Sequence, residues 1–367
     1  MSQRTGMLRL ADRGQSVWLD YIRRDLMESG ELAAMVGGGL KGMTSNPSIF
    51  QKAIAGSDLY DDDLATLLAA DPDAGPSTLF EQLAIVDIRL AADELLSVYE
   101  RSDGADGLVS LEVSPHLAHD TEATIVDAHR LWAAVDRPNL MIKVPATPAG
   151  IPAIERLIGD GVNVNVTLMF SLGHYEAVAH AFLRGLEQTA DPSRIASVAS
   201  FFVSRVDTAV EAAIEQLGDP RADALAGKVA VANSRVTYGR FQALFGDDFE
   251  ANWGRGAFPQ RVLWASTSTK NPAYSDVLYV EELIGPHTVN TLPPATLEAF
   301  EDHGEVRGDT LCDNVDEAHA VLDELAVLGI DFVEITEQLQ DAGVQAFIDS
   351  YDDLIDTIAT KRDQLLA

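Results

Sequence analysis

The sequence predicts an α/β protein in which eight parallel strands close into a single barrel, an (α/β)8 arrangement with additional helices. Three observations support this. Short runs with the two-residue alternation of β-strands recur eight times along 367 residues, and helical periodicity fills the intervals between them. No repeat, low-complexity linker or break in composition marks a second domain, and one α/β barrel accommodates a chain of this length. Strands that alternate with helices need crossover connections and therefore favour a parallel sheet, with an open, doubly wound sheet as the other solution.

Composition narrows the function before any motif is read. A hydrophobic fraction of 47% and a charged fraction of 23% are ordinary for a globular protein. No apolar run approaches the roughly 20 residues that cross a bilayer, and the first residues lack the apolar core of a secretion signal. A cytoplasmic protein without membrane contact is expected. Cys312 is the only cysteine, which excludes an internal disulfide and a thiolate metal cluster. The net charge of -32, from 58 acids and 26 bases, argues against nucleic-acid binding. An anionic small substrate would also be repelled at long range, so it would need a few cations placed at close quarters.

In order, residues 1–14 read as a partly helical lead-in. Residues 15–20 alternate, with Val17 and Leu19 on one face and Ser16, Trp18 and Asp20 on the other, which puts Asp20 at a strand end. A helix over 28–35 follows. Gly37, Gly38 and Gly39 then precede a short strand; they lack a Gly-Lys-Ser/Thr ending and read as a turn, not a phosphate loop. Ser45 or Asn46, followed by Pro47, starts the next helix, because Asn caps free N–H groups and Pro fits the first turn. A long helix over 78–101 is marked by Leu79, Leu83, Val86, Leu90 and Leu95. The third strand, 107–115, sets Val109, Leu111 and Val113 against Ser110, Glu112 and Ser114. His116 and His119 have metal-friendly spacing, but no further ligands gather with them, so they read as loop histidines.

After a helix over 120–134 comes the fourth strand, 139–147, with Leu140, Ile142 and Val144 on one face and Met141 and Lys143 on the other. A lysine in an apolar strand is either paired with a charge or pushed toward its neutral, nucleophilic form. Thr147-Pro148 reads as a helix start. The fifth strand, 162–168, turns its valines one way and Asn163, Asn165 and Thr167 the other. A helix over 172–188 leads to a sixth strand, 195–203, in which Ser200 lies, with Ser204 as the cap of a helix that has Arg205 in its first turn. That arrangement suits a phosphate. Helical pattern over 222–244 and a loop over 247–258 precede a seventh strand, 261–267, and the cation Lys270. The eighth strand is 287–291, and helices over 317–328 and 344–367 complete the chain, the last packed on the barrel.

In a closed parallel barrel the active site forms at the C-terminal ends of the strands. Asp20, Asn46, Glu112, Lys143, Asn165, Thr167 and Ser200 all fall near such ends. One lysine, two acids, two amides and two hydroxyls suggest Schiff-base chemistry: the lysine condenses with a ketone, the imine accepts electrons as a carbon–carbon bond breaks, and a carboxylate moves protons.

These segments resemble the transaldolase family. The likeness is carried by Trp18-Leu19-Asp20, Thr44-Ser45-Asn46-Pro47-Ser48, Ile142-Lys143-Val144-Pro145-Ala146-Thr147, Asn165-Val166-Thr167-Leu168-Met169-Phe170-Ser171 and Ser200-Phe201-Phe202-Val203-Ser204-Arg205, with Trp264-Ala265-Ser266 and Lys270-Asn271-Pro272 extending it. The resemblance implies a TIM-type barrel that works without metal or cofactor on phosphorylated sugars; the expected assembly is a monomer or homodimer, between which the sequence does not choose. It implies transfer of a dihydroxyacetone unit from sedoheptulose 7-phosphate to glyceraldehyde 3-phosphate in the pentose phosphate pathway. It further implies Lys143 as the imine-forming nucleophile, Glu112 as acid and base through a water held with Thr167, and Asp20 as the base at the C4 hydroxyl. Asn46 and Asn165 would hold substrate hydroxyls, and Ser200 and Arg205 the phosphate. Many members carry an arginine after the Ala-Ser of the seventh strand, where this chain has Thr267-Ser268-Thr269-Lys270; Lys270 is assigned to phosphate by analogy. Related enzymes that act as plain aldolases usually have glutamine at the position of Glu112 and often tyrosine at that of Phe202.

Overall fold

The computed structural model describes residues 4–366. Residues 1–3 of the expected lead-in and residue 367 of the expected last helix lie outside the described residues. Eight strands, β1 (Gln15–Asp20), β2 (Gly42–Thr44), β3 (Leu108–Glu112), β4 (Leu140–Pro145), β5 (Val164–Met169), β6 (Ser197–Phe202), β7 (Arg261–Ala265) and β8 (Thr288–Leu292), form one closed barrel in chain order. Every neighbouring pair is parallel, and β1 closes the barrel against β8. The barrel is an (α/β)8 fold, and the open sheet is excluded. Nearly every strand position is buried, as expected when helices cover the outside and side chains fill the inside.

Register sets which side chains meet inside. Trp18 pairs with Gly42, and a Cβ on Gly42 would lie 2.6 Å from the indole Cε2, so glycine makes room for the Trp18 ring. One pleat further on, Asp20 pairs with Thr44. Glu112 pairs with Lys143, and Lys143 with Asn165, which makes a row across three neighbouring strands. In β5 the register shifts between Val166 and Met169, where Leu168 adopts a left-handed φ of 63°.

The helices differ from the expected ones mainly at their ends. The helix expected over 28–35 is two, Arg24–Glu28 and Glu31–Gly37, parted by Gly30 at φ 78°. The long helix is Pro76–Arg101; its buried stripe includes Leu79, Leu83, Ile88, Ala91, Leu95 and Val98, and the expected Val86 and Leu90 are exposed. The pattern over 222–244 divides at Gly227, φ 72°, into a short 3-10 turn and the helix Val229–Phe245. Thr147 accepts a hydrogen bond from the Gly150 amide, and its helix starts at Gly150. Ser204 is not a cap: Val203 holds that position, and Ser204 opens the helix Ser204–Leu217 with its hydroxyl 3.0 Å from that of Ser266.

The last helix begins at Phe332, well before residue 344, and runs to Leu366. It is tied to the strand ends by Gln340, whose Nε2 donates to the carbonyls of Ala146, 3.1 Å, and Leu168, 2.9 Å. Gly343 permits the close approach: a Cβ there would lie 2.8 Å from Leu168 Cδ2 and 3.6 Å from an Arg205 guanidinium nitrogen.

Candidate active site

Lys143 projects from β4 and is 4% exposed. Its ammonium donates to the Ser45 carbonyl at 3.2 Å, stands 3.4 Å from Glu112 Oε2, and faces the ring of Phe347 at 5.5 Å. The lysine of the apolar strand is thus a paired one. A buried ion pair is costly to make and more costly to break, since either partner alone is an uncompensated charge. Burial pushes the Glu112 carboxyl above its ordinary range, the Lys143 charge opposes that shift, and the negative charge of Asp20 adds to it. A carboxyl so placed changes protonation readily as charge moves on the neighbouring amine.

Asp20 ends β1. Its Oδ1 accepts from the Thr44 hydroxyl at 2.7 Å, and Thr44 Oγ1 lies 2.9 Å from Thr291 Oγ1. Burial raises its pKa too, against the Lys143 charge and the Thr44 hydrogen bond. Asn46 is at once a cap and a cleft residue: its Oδ1 accepts from the Ile49 amide at 2.9 Å, which leaves Nδ2 as a donor at the mouth. Asn165 sits deeper, donating to Ser110 Oγ at 2.9 Å and accepting from Ser200 Oγ at 2.7 Å. Thr167 lines the cleft, and its buried hydroxyl has no protein hydrogen-bond partner among the described residues.

Asp20, Asn46, Lys143, Thr167, Ser200, Arg205 and Lys270 line one cavity of about 420 Å³ at the C-terminal mouth of the barrel. Glu112 faces a smaller adjoining cavity of about 90 Å³, which shares Asn46 with the first. Arg205 stands in the first turn of its helix with the guanidinium 5.3 Å from the Phe202 ring centre. Burial holds the Arg205 pKa below its ordinary value. Lys270 is lowered by burial, then by Arg205 and by Lys52, a lysine that also lines the cavity; its ammonium donates to Ser268 Oγ at 2.8 Å. Cations that repel one another across a cleft gain from an anion between them.

Sequence reading missed Lys52, Thr44, Thr291 and Phe347 as residues of the site. Lys52 and Thr44 flank the Asn-Pro-Ser segment and carry only a weak signal, their nearness in sequence to Asn46. Phe347 arrives from the last helix by tertiary folding, and no local pattern marks it. His116 pairs with Asp352 at 2.8 Å, and no group of side chains suited to a metal occurs among the described residues.

A closed parallel barrel with a lysine–carboxylate pair and a cationic rim at its C-terminal mouth defines a class, the barrel enzymes that work from strand-end residues. Comparison with known proteins is more specific. A family model described as transaldolase/fructose-6-phosphate aldolase matches residues 17–358. The chain is 49% identical over 356 residues to a transaldolase of Frankia alni, covering 95% of each chain. It is 51% identical over 348 residues to a transaldolase of Thiobacillus denitrificans, covering 93% of this chain and 96% of that one, and 47% identical over 364 residues to one from Mycolicibacterium smegmatis, covering 97% of each. The chain belongs to the transaldolase/fructose-6-phosphate aldolase family. It is an enzyme, a transferase of the transaldolase kind, and sugar phosphates are the substrates the family implies.

Proposed function

We propose that this enzyme carries a dihydroxyacetone unit from sedoheptulose 7-phosphate to glyceraldehyde 3-phosphate, giving erythrose 4-phosphate and fructose 6-phosphate, by way of an imine on Lys143. The observation that carries the reading is the Lys143–Glu112 pair, buried within the Coulombic reach of Asp20 at a cleft rimmed with cations.

The steps follow from the side chains. Glu112, through a water held with Thr167, accepts the ammonium proton, and the free amine adds to the ketose C2 carbonyl. The same acid returns a proton to the carbinolamine hydroxyl, which leaves as water. Asp20 takes the proton of the C4 hydroxyl; the C3–C4 bond breaks, its electrons pass to the iminium nitrogen, and erythrose 4-phosphate departs from the enamine. That enamine attacks the aldehyde carbon of the acceptor, Asp20 gives the proton back, and hydrolysis frees fructose 6-phosphate. Asn46 and Asn165 hold hydroxyls of the three-carbon unit, and Ser200, Arg205 and Lys270 hold the phosphate. The enzyme operates in the cytoplasm, in the pentose phosphate pathway; no helix of the described residues is long and apolar enough to cross a membrane.

Within the family the alternative is plain aldol cleavage. Glu112 and Phe202, in place of the glutamine and tyrosine usual in such aldolases, favour transfer. With fructose 6-phosphate alone, chromatography should detect little free dihydroxyacetone, and adding erythrose 4-phosphate should start turnover to sedoheptulose 7-phosphate. Rapid release of dihydroxyacetone without an acceptor would overturn the transfer reading.

A further inference from the structure

We propose that Lys52 is a phosphate-recognition residue, a third cation that joins Arg205 and Lys270 in gripping the substrate phosphate; this rests on the sugar-phosphate reading above. In a chain with 58 acids and 26 bases, a cation readily finds a carboxylate. Arg24 is held between Asp63 and Asp87, and Lys361 meets Asp61 at 2.6 Å. Lys52, Arg205 and Lys270 form no ion pair among the described residues, and all three line the same cavity.

Lys52 comes from the helix Pro47–Ala55, which follows β2, while Arg205 follows β6 and Lys270 follows β7. Strand order puts the ends of β2 and β6 on opposite sides of the barrel mouth, and the cavity there is lined by both Lys52 and Arg205. The same helix is capped by Asn46, so one rigid element carries a donor for substrate hydroxyls at its first end and a cation near its last. A phosphate dianion also needs more than this site's Lys270 gives, since lysine is a point charge without arginine's bidentate fork. A second lysine in the same cleft supplies charge where the fork is missing. The competing role for Lys52 is purely structural, since a cation in the last turn of a helix also balances the helix dipole.

Lys52→Gln and Lys52→Arg separate the two. Kinetics with glyceraldehyde 3-phosphate and with unphosphorylated D-glyceraldehyde as acceptors, sedoheptulose 7-phosphate being the donor at saturation and released erythrose 4-phosphate the product followed, give the first readout. Lys52→Gln should raise KM for glyceraldehyde 3-phosphate about five- to tenfold, the worth of one partly screened charge contact. KM for D-glyceraldehyde should change less than about twofold, and Lys52→Arg should restore most of the loss. Calorimetry with inorganic phosphate is the second readout and needs no turnover: binding should weaken by a similar factor in Lys52→Gln. Equal effects on both acceptors, or unchanged phosphate binding, would overturn the assignment and leave Lys52 a helix-end residue. If the unsubstituted enzyme fails to transfer the three-carbon unit, the functional reading falls, and the phosphate titration still decides Lys52.

Discussion

Asp20 and Glu112 are both buried acids whose pKa is raised, yet their partners differ, and the partners set what each residue should do when changed. Thr44 donates to Asp20 and thereby favours its ionised form. Thr44→Val removes that donor, so the Asp20 pKa should rise further and the acid limb of the kcat/KM profile should move to higher pH. At the acid end the loss should be roughly tenfold, the size of a hydrogen bond to a charged group, shrinking toward alkaline pH. A uniform loss at all pH values would show that Thr44 acts otherwise. Glu112→Gln leaves the Lys143 ammonium without its carboxylate and removes the proposed proton carrier, so kcat should fall by roughly 10²–10⁴-fold in a stopped-flow or coupled assay. At this scale the sequence was readable where alternation isolates a polar residue in an apolar strand, as with Lys143, Asp20 and Glu112. It was mute for Phe347, whose place over Lys143 depends on the path of a helix far along the chain.

Among the elements, two helices govern the mouth. The last helix rests on Gln340 and on the absence of a side chain at Gly343. Gly343→Leu should push it off Leu168 and Arg205, lowering kcat and costing about 1–3 kcal/mol of stability by thermal unfolding. The helix carrying Arg205 is tied down by Asp207, which accepts from the Ala230 amide at 2.8 Å and the Tyr279 hydroxyl at 2.7 Å. Burial pushes the Asp207 carboxyl up to about 6 from its ordinary 3.8. A raised folded-state pKa means the folded protein binds the proton more tightly, so the associated stability is complete below about pH 4 and is lost as pH rises through about 6. Relative to Asp207→Asn, the unsubstituted protein should therefore lose roughly 3 kcal/mol across that window. Parallel pH dependence of the two proteins in thermal melts would contradict it. Element types were readable from periodicity, and their ends were not: Gly30 and Gly227 break helices that apolar spacing alone carries through, and the last helix starts as early as Phe332 because Phe332 and Ile335 pack against the core.

For the whole molecule, closure of the barrel was foreseeable because eight alternating runs separated by helices leave few other ways to bury both faces of every strand. The bridging of β1 to β8 follows from that count and not from any single residue. The candidate site was legible because the strand ends collect polar groups at one mouth, and the cations lining that mouth were legible only in part, since Lys52 joins them only in the folded cleft. In so acidic a chain, the proposed function assigns those cations the short-range hold on the substrate's phosphate. The proposed mechanism makes Lys143 the covalent centre. Borohydride reduction in the presence of fructose 6-phosphate, followed by peptide mass analysis, tests it most directly. A three-carbon adduct should form on Lys143 and be absent from Lys143→Ala. An adduct on another lysine, or one that survives Lys143→Ala, would contradict it.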